Sequence, residues 1–353
     1  MLTAMAQPGN ASSVHGPGRE ARRRIEHARE QVAQLAGARS RDVVFTGSGT
    51  EANNQILANF KDRRLFVSAI EHDSTLNAAA QGATLLPVGS DGLLDVAASL
   101  TMIASCDQPC LVAVMAVNNE TGLIQPILEL SQGIKALDRD HDRNPVHLHC
   151  DAVQGAGKMW LDMVAMGVDS FSLSAHKLGG PQGVGALIHA PGLELAPLVR
   201  GGGQERRMRA GTENVAGIVG FGAAALASLD ELADSAKMRA QRARRQRLVD
   251  AISQLCPTAV FFSEHAERQL GTTINVALPG KRAETSVMKF DLAGIAISAG
   301  SACSSGKVNQ SAVIMAMSGD DVLAQASIRL SMGWATTDAQ IDEVIERLPK
   351  LLG

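Results

Sequence analysis

Six short runs rich in Val, Leu, Ile and Phe alternate with helix-like stretches, and this alternation limits the fold more than any other feature. The runs are 43–45, 65–69, 111–117, 146–150, 171–174 and 185–188. Strands separated by helical segments predict parallel β-α units, with helices on both faces of the sheet. In such sheets ligands bind beyond the carboxyl ends of the strands, so the strand exits are where chemistry is expected. Ahead of the first run, residues 17–36 read as a helix. Ala21, Ile25, Ala28, Val32 and Leu35 recur at steps of three and four, Pro17 suits the first turn, and Gly37 can cap the end.

A long charged helix is expected at 232–255, then strands at 272–278 and 295–298 and a final amphipathic helix at 338–348. A domain boundary placed in the charged helix gives a large unit of residues 16–235 and a smaller one of residues 1–15 and 236–353. The run Arg239, Arg242, Arg244, Arg245, Arg247 reads as a solvated helix face rather than a site for an acidic partner.

With 353 residues the chain is long enough for two substantial cores. A formal net charge of −3 argues against binding driven by nucleic-acid phosphates. Five cysteines without metal-like spacing suggest a reducing compartment. The start, MLTAMAQPGN, has neither the basic region nor the apolar core of a signal peptide, so a cytoplasmic protein is expected. The charge-free run 215–229, dominated by Ala and Gly, reads as a buried helix rather than a membrane span.

The strand exits carry distinctive residues. The first reads FTGSGTEANN, and Gly49 and Thr50 fall where a strand gives way to a helix N-terminus that favours a phosphate. The second, SAIEHDS, holds His72, able to stack on a ring and move protons. The third, VNNETG, offers Asn118, Asn119 and Glu120. In the fourth, HLHCDAVQ, the cluster His147, His149, Cys150 cannot converge on zinc, because strand alternation puts Cys150 on the opposite face. Asp151 there can keep a pyridinium nitrogen protonated, with Gln154 three residues on.

The fifth exit, SLSAHKLGG, sets Lys177 on a glycine-flanked loop. A Schiff-base lysine needs such a place, with a deprotonated amine aimed at a carbonyl. Together these exits fit one cofactor, pyridoxal 5′-phosphate (PLP). Further on, Thr212 follows a glycine in the basic loop GGGQERRMRAGTENV. Cys303 sits among Ser and Gly in SAGSACSSG, a setting that suits a nucleophile, and Arg329 in SIRLSMG can fork onto a carboxylate. Cys106, Cys110, Cys150 and Cys256 read as structural.

In this order GSGTEANN, SAIEH, VNNETG, CDAVQ, SAHK, GGGQER, RAGTENV, SAGSACSSG and IRLSMG resemble the cysteine desulfurases of NifS/IscS type, within the class V aminotransferases. The resemblance implies PLP fold type I: an α/β large domain with a mostly parallel seven-stranded-type sheet, and a smaller α+β domain carrying the cysteine loop. It implies a homodimer in which Lys177 carries the cofactor, Asp151 contacts its ring nitrogen, His72 stacks on the ring and Gln154 faces the phenolic oxygen. Gly49, Thr50, Ser174 and His176 would hold the phosphate, joined by Thr212 from the partner subunit. Asn119 and Arg329 would bind the carboxylate of L-cysteine, and Cys303 would receive its sulfur as a persulfide for an acceptor or scaffold protein. Iron–sulfur cluster assembly, tRNA thiolation and nitrogenase assembly all remain open as destinations.

The sequence departs from the family in three places. The strand and YLDNNATT-like segment with which members usually begin have no counterpart, nor has the C-terminal tail that some use to bind a scaffold. Arg207 stands where GGGQERG has its last glycine. Alternative readings are another class V enzyme, such as a selenocysteine lyase or a transaminase, or a degenerate homologue acting as a binding or scaffold subunit.

Overall fold

A computed structural model describes residues 1–79, 82–137, 145–265, 267–300 and 310–353. Seven strands form the main sheet: β1 (Val43–Thr46), β2 (Arg64–Ser68), β3 (Thr84–Leu86), β4 (Cys110–Ala113), β5 (Val146–Asp151), β6 (Ser170–Ser174) and β7 (Gly185–His189). Their order is β1-β7-β6-β5-β4-β2-β3. Strands β3, β2, β4, β5 and β6 pair in parallel, whereas β7 runs antiparallel to both β6 and β1. The sheet is thus mostly parallel, as expected, and β7 is the strand that departs from the parallel β-α pattern. The link from β6 holds only the short turn Ala175–Leu178 and a glycine-rich stretch, too little chain for a crossover helix. Strand β3 is only three residues long and carries no readable period.

Alternation sorts the side chains onto two faces. Phe45, Phe66, Val112, Leu148, Cys150, Phe171 and Leu173 pack against Ile25, Val32, Ile218 and Phe221 of the helices Gly16–Leu35 and Val215–Ala233. On the other face Val67, Leu111, Ala113 and Leu187 meet Ala52, Ile56 and Phe60. At β5 and β6 that second face turns polar, with His149, Asp151, Ser170, Ser172 and Ser174 all buried. A buried large apolar side chain contributes roughly 1.5–3 kcal/mol, so a polar row here forgoes stability for a site.

The helix Val215–Ala233 is long and apolar enough by composition to cross a membrane. It lies instead against Gly16–Leu35, so closely that a Cβ on Gly222 would stand 2.7 Å from the Ala28 Cα. The expected helix 232–255 is broken at Asp234, whose side chain caps Ser235–Leu255 by accepting from the N–H groups of Ala236 and Lys237. The arginine run is not simply solvated either. Arg245 is buried and donates to the Thr273 and Ser263 carbonyls, and Arg244 and Arg247 pair with Asp338 of the helix Asp338–Leu352.

A second, antiparallel sheet comprises β8 (Val260–Phe261), β9 (Thr273–Ala277), β10 (Ser298–Ala299) and β11 (Ser327–Ser331), in the order β10-β11-β9-β8. Ile274, Val276, Ile328 and Leu330 pack on Leu248, Ile252, Phe290 and Leu348. Residues 1–15, expected with this smaller unit, lie on the large one. Ala11 enters its core, and the helix Leu2–Met5 touches Val215–Ala233. Of the apolar side chains in this segment, Ala4 and Ala11 are buried, whereas Met1, Leu2, Met5 and Val14 stay exposed.

Candidate active site

The exits of β1, β2, β4, β5 and β6 open on one edge of the main sheet, and the second sheet closes over them with Arg329 on β11. A cavity of about 350 Å³ lies between, lined by Gly49, Thr50, His72, Asn119, Asp151, Gln154, Ser174, His176, Lys177 and Arg329. A neighbouring cleft of about 650 Å³ shares Asn119, Gln154, His176, Lys177 and Arg329 and extends to Lys158 and Trp334. With Glu120, eleven of the residues singled out from the sequence thus face one space.

One end is built for an anion. Ser48 caps the helix Gly49–Asn59 by accepting from the Glu51 N–H at 3.1 Å, leaving the first backbone N–H groups toward the cavity. Gly49 is required by crowding, since a Cβ there would come within 2.7 Å of the Val153 Cγ2. Ser174 Oγ and His176 Nδ1 stand 2.9 Å apart on the same rim. Burial first, then the charges of Lys177 and Lys158, lower the pKa of His176, so it serves as a neutral hydrogen-bonding group.

The opposite end is acidic. Asp151 is buried, and desolvation raises its pKa. Opposing that, Asn53 Nδ2 donates to Oδ2 at 2.7 Å and the Val153 N–H donates to Oδ1 at 3.0 Å, both favouring the carboxylate. His72 Nδ1 lies 2.8 Å from Ser74 Oγ. Glu71, beside His72 in sequence, is buried with the Met115 N–H on its Oε1 at 2.5 Å. Burial, and next the charge of Asp151, push its pKa well up, which favours the protonated acid.

Lys177 stands in the turn Ala175–Leu178, which Gly179 ends in a left-handed conformation at φ 86°. The isolated chain leaves Lys177 exposed. Lys158 donates to the Gln154 carbonyl at 3.2 Å and to its Oε1 at 3.0 Å, so Gln154 offers the cavity its amide N–H. Burial, with Lys177 and Arg329 nearby, brings the Lys158 pKa down to about 8.

Arg329 Nη1 donates to the Asn119 carbonyl at 2.7 Å and Nη2 to Ser298 Oγ at 3.1 Å, which aims the guanidinium into the cavity. Asn118 is structural, its Oδ1 accepting from the N–H groups of Glu120 and Thr121. Glu120 is buried too, lines the cavity and accepts from Ser311 Oγ at 2.5 Å. Thr212 is exposed and does not line its own chain's cavity. Cys303 lies outside the described residues.

Asn53, Glu71, His149 and Lys158 were not picked out as site residues. Two signals were legible: His149 shares the Asp151 face of a strand by alternation, and Lys158 follows Gln154 by one helical step. An anion cradle, an acidic end, a lysine between them and an imidazole alongside form the donor set that pyridoxal phosphate requires, and these residues fit it.

The aminotransferase class-V family matches residues 3–344. The chain belongs to this family. It is similar to an IscS-like cysteine desulfurase of Mycobacterium tuberculosis, 37% identical over 97% of this chain and 88% of that protein. Among solved structures, a NifS-like protein from Rickettsia africae superposes with a TM-score of 0.90 at 33% identity, covering 99% of this chain and 93% of the other. A protein described as SspA in complex with cysteine superposes with a TM-score of 0.76 at 27% identity over 95% of each chain.

Proposed function

We propose that the protein is a PLP-dependent cysteine desulfurase, converting L-cysteine to L-alanine and leaving the sulfur as a persulfide on Cys303. The observation that carries this reading is the convergence of Lys177, Asp151, His72 and the Gly49–Asn59 helix N-terminus on the cavity that also receives Arg329. When bound, pyridoxal phosphate supplies an electron sink for the charge left as the substrate loses its Cα proton.

The chain's own residues do the rest. Gly49, Thr50, Ser174 and His176 would hold the phosphate, Asp151 would face the ring nitrogen, His72 would stack on the ring and Gln154 would donate to the phenolic oxygen. Arg329 and Asn119 orient the substrate carboxylate, and Lys177 takes the Cα proton. The Cys303 thiolate attacks the substrate sulfur: a sulfur–sulfur bond forms and the Cβ–S bond breaks. The electron pair stays on the carbon skeleton, which leaves as alanine after protonation.

The same reading makes the protein a cytoplasmic homodimer, in which Thr212 completes the partner's phosphate site. It has a large unit, on which residues 1–15 also lie, and a smaller one that carries the cysteine segment. The persulfide passes to an acceptor or scaffold protein, such as one serving iron–sulfur cluster assembly, with no membrane or nucleic acid involved.

The test is mass spectrometry after adding L-cysteine to PLP-loaded protein, with alanine quantified in parallel. A sulfur adduct on Cys303, lost in Cys303→Ser along with multiple-turnover alanine release, is the expected result. An adduct on another cysteine with Cys303 unmodified overturns the mechanism.

A further inference from the structure

We propose that Asn53 is a positioning residue. Its one side-chain amide fixes both the ionised Asp151 and the proton placement on His72, and His149 fixes Asn53 in turn. This rests on the reading of the cavity as a PLP site.

Asn53 is fully buried on the helix Gly49–Asn59, above the polar face of β5. Its Nδ2 has two hydrogens and two acceptors, Asp151 Oδ2 at 2.7 Å and Ser74 Oγ at 2.9 Å. Its Oδ1 faces His149 Nε2 at 3.1 Å. The reverse amide orientation would set an oxygen against the Asp151 carboxylate, so chemistry admits one arrangement. Every other proton follows from it. His149 must donate from Nε2, which leaves Nδ1 to accept from the Ser170 hydroxyl, 2.8 Å away. Burial lowers the His149 pKa to about 3, so the ring stays neutral and makes no second donation.

On the other side, the Ser74 hydroxyl accepts from Asn53 and is left to donate to His72 Nδ1 at 2.8 Å, where the Ser74 N–H also points at 3.0 Å. His72 Nδ1 is therefore an acceptor, and the neutral ring carries its proton on Nε2. Two of the cofactor contacts are thus set by one amide, whose own hydrogen-bonding atoms are occupied by Asp151, Ser74 and His149. Losing the Nδ2 donor removes one of two hydrogen bonds that keep Asp151 ionised in a desolvated place. The carboxylate becomes more basic and draws the proton away from the ring nitrogen.

The experiment is NMR on the full chain, with and without PLP labelled with ¹⁵N at the ring nitrogen and with ¹⁵N-labelled histidines. In the unsubstituted protein His149 and His72 should both be Nε2–H tautomers whether or not PLP is present. Either one protonated on Nδ1 overturns the network. With PLP bound, Asn53→Leu, of similar volume, should move the ring nitrogen signal toward its unprotonated position. It should also weaken PLP binding about tenfold or more.

His149→Phe leaves Asn53 in place but removes the donor that holds its Oδ1, and should shift the same signal in the same direction by less. This variant keeps the test decisive should Asn53→Leu fail to fold. Unchanged ring nitrogen signal and affinity in a folded Asn53→Leu, or in His149→Phe, refute the proposal. Failure of the unsubstituted protein to take up PLP refutes instead the reading of the cavity, while the histidine tautomers still judge the network.

Discussion

Arg29 and Glu205, separated by 176 positions in sequence, form a buried ion pair whose disruption can be worked out from the structure. Arg29 is 1% and Glu205 3% exposed. The guanidinium donates to Glu205 at 2.6 and 2.9 Å and to the Val43 carbonyl at 2.9 Å, and lies over the Phe45 ring at 4.8 Å. The Phe45 N–H adds a further hydrogen bond to Glu205 at 2.8 Å. Glu205→Gln keeps the shape but sets an amide N–H₂ against a buried cation, and should cost about 3–5 kcal/mol, as losing one member of a buried pair does. Against a total stability of about 5–15 kcal/mol this is a large fraction.

Arg29→Met should be similarly costly, because it strands the carboxylate. The double variant Arg29→Met/Glu205→Leu removes both charges and should be more stable than the sum of the singles predicts, by about 2 kcal/mol or more. Denaturant midpoints for the four proteins without cofactor give the cycle. A Glu205→Gln cost below about 1 kcal/mol, or strictly additive singles, refutes the claim that Arg29 and Glu205 act as a coupled buried pair.

Two further outcomes are expected. Arg207 occupies the left-handed region at φ 67°, which glycine adopts without strain, so Arg207→Gly should raise stability by about 1 kcal/mol; a lower unfolding midpoint would count against that account of the loop. His149 has its folded pKa depressed from 6.5 to about 3, so its contribution is intact above pH 6.5 and is lost progressively as pH falls toward 3. The slope is about 1.4 kcal/mol per pH unit, and the acid limb of the stability curve should flatten in His149→Phe; identical slopes would show that His149 does not titrate this way.

Much of the site was readable because each strand exit delivers its residues locally. Asp151 directly ends β5, Lys177 follows β6 by a single turn, and Gly49 starts a helix three residues after β1. Period-two and period-3.6 patterns, with glycine and proline as punctuation, suffice for that. The antiparallel β7, the break at Asp234 and the place of residues 1–15 were not readable. They depend on connection length and on which surface is left for a helix to cover, and neither is a local property.

The sequence by itself determined which chemistries were present and on which strand ends they sat. Only the tertiary structure decided how they act together. Asn53, Asp151 and His149 meet because a helix N-terminus is pressed against the loop after β5, close enough that Gly49 can carry no side chain. Arg329 reaches the same cavity from the second sheet, and Glu205 is anchored by an arginine from the first long helix. Hydrogen bonds between distant residues leave no periodic trace, since a single polar side chain satisfies no repeating pattern. They exist only once burial removes water as a competitor and makes each partner obligatory.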